Sequence, residues 1–61
     1  MSTYNSYFDD RTRTTIYQAV DADGTYCVLF KQGERTEVRR CSGAAEQAAI
    51  FKANVRWYRG Y

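Results

Sequence analysis

The stretch RTTIYQAVDADGTYCVLFKQ, residues 13–32, decides the fold of this chain. Residues 13–20 and 25–32 are rich in β-branched and aromatic side chains, which favour strands. Between them, DADG at residues 21–24 is typical of a tight turn, because aspartates accept local backbone hydrogen bonds and Gly24 tolerates a positive φ. The stretch therefore predicts two strands joined by a short turn.

A third strand and a helix are predicted after this pair. Gly33 marks a second turn, and RTEVRRC at residues 35–41 has the polar composition typical of an edge strand. Residues 44–60, AAEQAAIFKANVRWYRG, predict a helix with Ser42 as its N-cap and Gly60 as its stop signal. Short turns between successive strands indicate antiparallel pairing. The predicted fold class is α+β, a three-stranded antiparallel β-meander packed on one C-terminal α-helix (βββα).

The N-terminal residues do not follow this regular pattern. Residues 1–10, MSTYNSYFDD, are expected to form an irregular N-terminal arm, for which one or more of its aromatic rings are the candidate anchors, and residues 11–61 to form a single βββα domain. A chain of 61 residues has little surface to bury. Aromatic residues make up 16% of it, and their large rings can supply much of the core.

One face of the predicted helix is apolar and is assigned to the sheet. It consists of Ala44, Ala48, Phe51, Val55 and Tyr58. Its expected partners in the strands are Ile16, Val20, Val28, Phe30 and Val38, or alternatively the opposite set, Cys27 and Leu29. The second predicted strand is apolar on both sides, so the sequence leaves open which side faces the helix.

Two further stripes run along the same helix. The basic stripe of Lys52, Arg56 and Arg59 is either an ordinary solvated face or a ridge that faces anions. The aromatic stripe of Ile50, Trp57 and Tyr61 either wraps the rim of the core, lies under the arm, or meets a second chain.

The composition argues against an enzyme. The chain contains no histidine, the commonest general base and metal ligand, and only two cysteines. Two cysteines are too few for a zinc site built from one chain. The acidic residues lie mostly in predicted turns and in the arm. We therefore expect no catalytic activity, no metal, no cofactor and no small-molecule substrate.

The cysteines and the hydropathy pattern indicate a compartment. No signal-peptide pattern precedes Cys27 and Cys41, so reduced, half-buried thiols are expected rather than a disulfide. No apolar run has the length of a membrane span. These features predict a cytoplasmic protein without membrane contact.

The predicted meander and helix resemble the ethylene-response-factor (APETALA-type) DNA-binding domain and the related arm-binding domain of phage integrases. The resemblance covers roughly residues 14–60 and is carried by the alanine-rich helix, with Phe51 at its middle and YRG at residues 58–60. GTYCVLFK, residues 24–31, is similar to the second strand of that family. The family's arginine-rich first strand has no counterpart in TTIYQAV, residues 14–20.

The resemblance implies a small nucleic-acid-binding protein that places its open sheet face in the major groove. It maps Tyr26 and Lys31 onto contact positions, and it makes Arg35 and Arg39, which alternate along the third predicted strand, the candidates to reach DNA. Further phosphate contacts would come from Lys31, Arg40, Arg11 and Arg13. An ordinary exposed edge with weak cross-strand ion pairs explains the third-strand charges equally well.

A second class of function is a small protein-binding modulator or inhibitor. Phage-encoded inhibitors of host defence, such as anti-CRISPR proteins, are similar in size and in lacking catalytic residues. The chain would then bind a host protein complex, or a second copy of itself, through residues of types common at binding hot spots. The candidates for this surface are Ile50, Arg56, Trp57, Arg59 and Tyr61.

Overall fold

The computed structural model describes residues 1–60 and shows one antiparallel sheet with a helix on one side. Its elements are β1 (Ser2–Asp9), β2 (Thr14–Val20), β3 (Tyr26–Gln32), β4 (Arg35–Arg40) and α1 (Ala44–Tyr58). The strands pair in the order β1-β2-β3-β4, and α1 packs mainly on β2 and β3. The predicted α+β class is confirmed, but the sheet has four strands rather than three.

The additional strand, β1, replaces the predicted irregular arm. It pairs with β2 along its length, and the register shifts at Asn5, where a β-bulge places the backbone at a φ of 56°. The bulge breaks the alternation by which strands are recognised in a sequence. Tyr4 and Tyr7, three residues apart, consequently both lie on the helix side, where Tyr4 hydrogen-bonds Gln47 and Tyr7 packs against the core.

The turn between β1 and β2 is held by a buried carboxylate. Asp9 accepts a hydrogen bond from the Thr12 hydroxyl at 2.5 Å and another from the Thr12 N–H at 2.9 Å. The hydroxyl bond is the main reason why the pKa of Asp9 lies below its usual value, and burial opposes it. Asp23, in the turn between β2 and β3, has a lowered pKa for the same kind of reason, namely its hydrogen bonds from Thr25.

These two carboxylates predict that the fold weakens in acid. A carboxyl group whose pKa is lower in the folded state stabilises the fold above its unfolded pKa of about 3.9, and that contribution is lost as the pH falls through the folded value. We expect the melting temperature, followed by far-UV circular dichroism, to fall below about pH 4. Asp9→Asn should be less stable at neutral pH and should lose less stability on acidification. A melting temperature with no acid dependence would contradict this prediction.

The core lies between α1 and the sheet. Its buried apolar residues are Ile16, Val28, Cys41 and Phe51. Partly buried side chains surround this cluster, namely Tyr7, Tyr26, Phe30, Ile50, Val55 and Tyr58. The register therefore settles the ambiguity of β3: Val28 and Phe30 face the helix, and Leu29, between them, faces away.

The buried stripe of α1 differs from the predicted one in its first turns. Phe51, Val55 and Tyr58 contribute to the core as predicted, but Ala44 and Ala48 are exposed. In their place Gln47, only 1% exposed, lies against the sheet. A polar residue on the buried stripe escapes a search for apolar periodicity, which explains the error.

Gln47 joins the helix to three strands through its side-chain amide. Its Nε2 donates to the backbone oxygens of Ala19 and Cys27, each at 2.8 Å. Its Oε1 accepts from the Tyr4 hydroxyl at 2.6 Å and from Gln18 Nε2 at 3.3 Å. Both ends of the buried amide are therefore satisfied, as burial of a polar group requires.

The start of α1 also differs from the prediction. Gly43, not Ser42, occupies the N-cap position, and no side chain caps the first turn. Instead, the Glu46 carboxylate reaches back and accepts a hydrogen bond from the Ser42 N–H at 2.7 Å. A negative charge in the first turn also suits the helix dipole. At the other end, Gly60 follows the helix with a φ of 89°, as the predicted stop signal requires.

Candidate nucleic-acid interface

The side of the sheet that faces away from α1 is called here the open face. Directly paired residues of an antiparallel sheet project to the same side, so the register assigns its residues in three rows across the strands. The rows are Thr3, Ala19, Cys27 and Arg40; Ser6, Tyr17, Leu29 and Val38; and Phe8, Thr15, Lys31 and Thr36.

The open face carries two aromatic rings side by side. Phe8 is 52% exposed and lies opposite Thr15, which makes Tyr17, two residues further along β2, its diagonal neighbour. Tyr17 is half-buried. Diagonal neighbours on one face are close enough for aromatic side chains to touch a common ligand. The predicted irregular arm includes Phe8, and the sequence alone gives no reason to single out Tyr17, so neither is among the predicted site residues.

Aliphatic side chains continue the row of Tyr17 towards β4. Leu29 lies directly opposite Tyr17, and Val38 lies opposite Leu29. Val38 pairs with Leu29 and is 50% exposed, so it belongs to the open face and not to the core, for which it was one expected partner. The apolar row thus crosses three strands.

The charges of the strands are segregated between the two sides. Lys31 and Arg40 lie on the open face, whereas the strand carboxylates Asp9 and Glu37 pair with residues of the helix side. Within residues 1–60, Lys31 makes no ion pair or side-chain hydrogen bond. The strand residues of the open face therefore include aromatic rings, hydroxyls and two cations but no carboxylate. Carboxylates reach this face from the turn between β2 and β3, where Asp21 and Asp23 contact Arg40.

Arg40 is held at one end of the open face. Its guanidinium contacts the carboxylates of Asp21 at 3.0 Å and Asp23 at 3.3 Å, and it donates to the Thr25 hydroxyl at 3.2 Å. The hydrogen bond to Asp21 is the main cause of a raised Arg40 pKa. This predicted phosphate contact is thus engaged in fixing the turn between β2 and β3.

Arg35 and Arg39 lie on one side of β4, as predicted, but that side is not the open face. They pair with Gln32 and Val28, which face the helix. They line a groove of about 550 Å³ between β4 and the C-terminal half of α1, with Glu37 between them. Arg35 contacts Glu37 at 3.7 Å. Arg35 and Arg39 therefore lie on the helix side and not on the open face that the resemblance places in the groove. The largely polar β4, with Val38 as its one apolar residue, gave no indication of which side turns inward.

Three other predicted contacts also have different surroundings. Arg11 donates to the Tyr58 carbonyl oxygen at 2.6 Å, so its positive charge lies at the C-terminal end of α1, where it suits the helix dipole. Tyr26 packs against the core on the helix side. Arg13 lies in the turn between β1 and β2 with a φ of 57° and is exposed.

The members of the predicted aromatic stripe of the helix have different surroundings. Ile50 packs against the core, whereas Trp57 is 72% exposed. Arg56 and the C-cap residue Arg59 are also exposed. Tyr61, the last member of the predicted partner surface, lies outside the described residues.

The two cysteines are both free and buried. Cys41 belongs to the core, and Cys27 lies on the opposite side of the sheet. Burial is the main cause of a raised pKa for the Cys41 thiol, which disfavours the reactive thiolate. Among residues 1–60, no group of three His, Cys, Asp or Glu side chains could hold a metal ion.

Comparisons with known proteins add no relative. No protein-family model, no curated protein and no solved structure matches the chain. Within residues 1–60, α1 is too short and too polar to cross a bilayer.

Proposed function

We propose that this chain binds single-stranded nucleic acid across its open face. The observation that supports this proposal is the neighbouring pair of rings, the exposed Phe8 and the half-buried Tyr17, on a face whose strands carry no carboxylate. Lys31, which has no ionic partner within residues 1–60, lies in the same row as Phe8. Single-strand-binding proteins combine aromatic side chains, on which bases stack, with positive charge that follows the backbone.

Each part of the open face has a role in this binding. Unpaired bases stack on Phe8 and Tyr17, and the apolar row continues this surface through Leu29 and Val38. The hydroxyls of Thr15 and Thr36, which flank Lys31 in its row, can donate hydrogen bonds to phosphate or sugar oxygens. Stacking does not depend strongly on base identity, so little sequence preference is expected.

The open face fits a single strand better than a duplex. Reading the major groove requires side chains such as arginine that reach base edges, and duplex affinity depends on many phosphate contacts. Arg35 and Arg39 face the helix side, and Arg40 is engaged with Asp21 and Asp23. The rings of the open face can stack only on bases that are already unpaired.

The proposal is tested by fluorescence anisotropy with labelled mixed-sequence single-stranded DNA and RNA, and with duplexes of the same sequences. We expect tighter binding to single strands and a shallow dependence on salt, because few cations contribute. Phe8→Ala and Tyr17→Ala should each weaken binding by about 5- to 160-fold, the range that one stacked base contributes. Tyr17→Phe, which keeps the ring, should bind like the wild type.

Variants on other surfaces serve as matched controls. The double variant Arg35→Ala with Arg39→Ala removes charges from the helix-side groove, and Trp57→Ala removes the exposed ring of α1. Both should bind the single strand within about threefold of the wild type, since surface changes away from an interface have small effects. Absence of binding at low salt would overturn the proposal, and so would loss of binding through the arginine pair alone.

A second candidate function is supported by Trp57. A tryptophan that is 72% exposed in the last turns of a helix, next to Arg56, is typical of a protein-binding hot spot. If the chain binds a protein through α1, Trp57→Ala should abolish binding to that protein, and Phe8→Ala should leave this binding unchanged. The two candidates therefore predict opposite results for the same pair of variants.

A further inference from the structure

The free edge of β4 differs from the other edge of the sheet. β1 is interrupted by its bulge at Asn5, a feature that discourages edge-to-edge pairing. β4 pairs with β3 without any register shift, contains no proline, and is exposed at all six of its residues. Its outer backbone groups form an uninterrupted edge to which another strand can pair.

The direction of the backbone groups along this edge follows from one hydrogen bond. The Cys41 N–H donates to the Tyr26 oxygen at 2.8 Å, so it points towards β3. Backbone groups in a strand alternate in direction, so those of Arg39 and Glu37 also point inward. The backbone N–H and C=O groups of Thr36, Val38 and Arg40 therefore point outward, away from β3.

Among the registers in which most of β4 overlaps with a second copy, the charges favour one. Two identical antiparallel strands are related by a twofold axis normal to the sheet, so the axis passes through a residue that faces itself. An axis at Glu37 brings Glu37 against Glu37 and Arg35 against Arg39, which is repulsive. An axis at Val38 brings Val38 against Val38 and Glu37 against Arg39 twice, which is attractive.

We propose that a second copy of this chain pairs with β4 about Val38, so that one sheet runs through both copies. The Val38 residues exchange backbone hydrogen bonds on the axis, and Glu37 of each copy faces Arg39 of the other. Charged side chains normally protect an edge from pairing. On β4 they instead select this register and reject its closest alternative.

The rest of the fold leaves room for this partner. Because α1 packs mainly on β2 and β3, an open groove lies on the helix side of β4. In the proposed dimer, α1 of the second copy would lie across this groove from α1 of the first. On the other side, Val38 would extend the row from Tyr17 and Leu29 into the same row of the second copy.

The first test measures molar mass by sedimentation equilibrium over a range of concentrations, without nucleic acid. The wild type should change reversibly from monomer to dimer as its concentration is raised. The Glu37→Arg and Arg39→Glu variants should each remain monomeric, because each substitution places like charges opposite one another in the dimer. The double variant, Glu37→Arg with Arg39→Glu, should regain the dimer. A monomeric wild type, or single variants that dimerise like the wild type, would overturn the proposal.

The second test fixes the register. Val38→Cys should form a disulfide-linked dimer on oxidation, because residue 38 faces its own copy at a Cα separation of roughly 5.5 Å. Thr36→Cys is the control, since residue 36 would lie about 14 Å from its own copy, beyond the reach of a disulfide. The unmodified chain, whose cysteines are buried, measures the background. Equal crosslinking of the two variants, or none in Val38→Cys, would overturn the proposed register.

A proline variant separates pairing from folding. The N–H of Val38 points outward, so Val38→Pro removes a hydrogen bond between copies without removing one between β3 and β4. It should stay monomeric while keeping the circular dichroism of the wild type. A dimer that survives this change would show that β4 is not the interface. None of these measurements depends on nucleic-acid binding, so their failure would leave the proposed function untouched.

Discussion

Replacing Gln47 by leucine is expected to lower the free energy of unfolding by about 2–4 kcal/mol. The substitution keeps the volume but removes the donor to the Ala19 and Cys27 oxygens and the acceptor for Tyr4 and Gln18. A buried polar group that loses its partner keeps its desolvation cost. Domains of this size have roughly 3–5 kcal/mol of stability in total, so much of the variant should be unfolded.

A graded series makes this prediction specific. Tyr4→Phe removes only the 2.6 Å bond from the hydroxyl to Gln47 and should cost about 1 kcal/mol. Urea unfolding followed by far-UV circular dichroism gives both values, whereas the exposed Trp57 is a poor fluorescent reporter of the core. A Gln47→Leu variant as stable as the wild type would show that apolar packing can replace this hydrogen-bonded amide at no net cost.

The elements that carry strong local signals were predicted well. Val28 and Phe30 lie in a strand within one residue of the predicted bounds, and α1 begins at Ala44 as expected. These regions combine β-branched runs, aspartate–glycine turns and an alanine-rich helix, and each acts over a few residues. β1 was missed because its bulge at Asn5 places Tyr4 and Tyr7 on one side, and this defeats a search for strict alternation.

The candidate site was predicted less well because it depends on which side of the sheet the helix covers. Arg35 and Arg39 do share a side, as their spacing requires, but a one-residue change of register would reverse that side. β4 contains only one apolar residue, Val38, and it faces away from the core. Neither hydropathy nor alternation along β4 could therefore place these arginines; only the pairing with β3 does.

Phe51→Ala is expected to lower the free energy of unfolding by about 3–5 kcal/mol, which would leave the chain largely unfolded. Phe51 is 9% exposed and is the residue of α1 that packs within the buried cluster of Ile16, Val28 and Cys41. Truncation removes its apolar contacts and leaves a cavity that a small core cannot easily close. Far-UV circular dichroism in a urea titration measures the loss.

Trp57→Ala is the matched control on the same helix. Its ring is larger than that of Phe51, yet it is 72% exposed, so its removal should change stability by no more than about 0.5 kcal/mol. The two results together would establish that α1 uses only one of its aromatic faces for folding and leaves the other available for binding. A large loss of stability in Trp57→Ala would instead mean that this ring is covered in solution, and the protein-binding candidate would lose its main support.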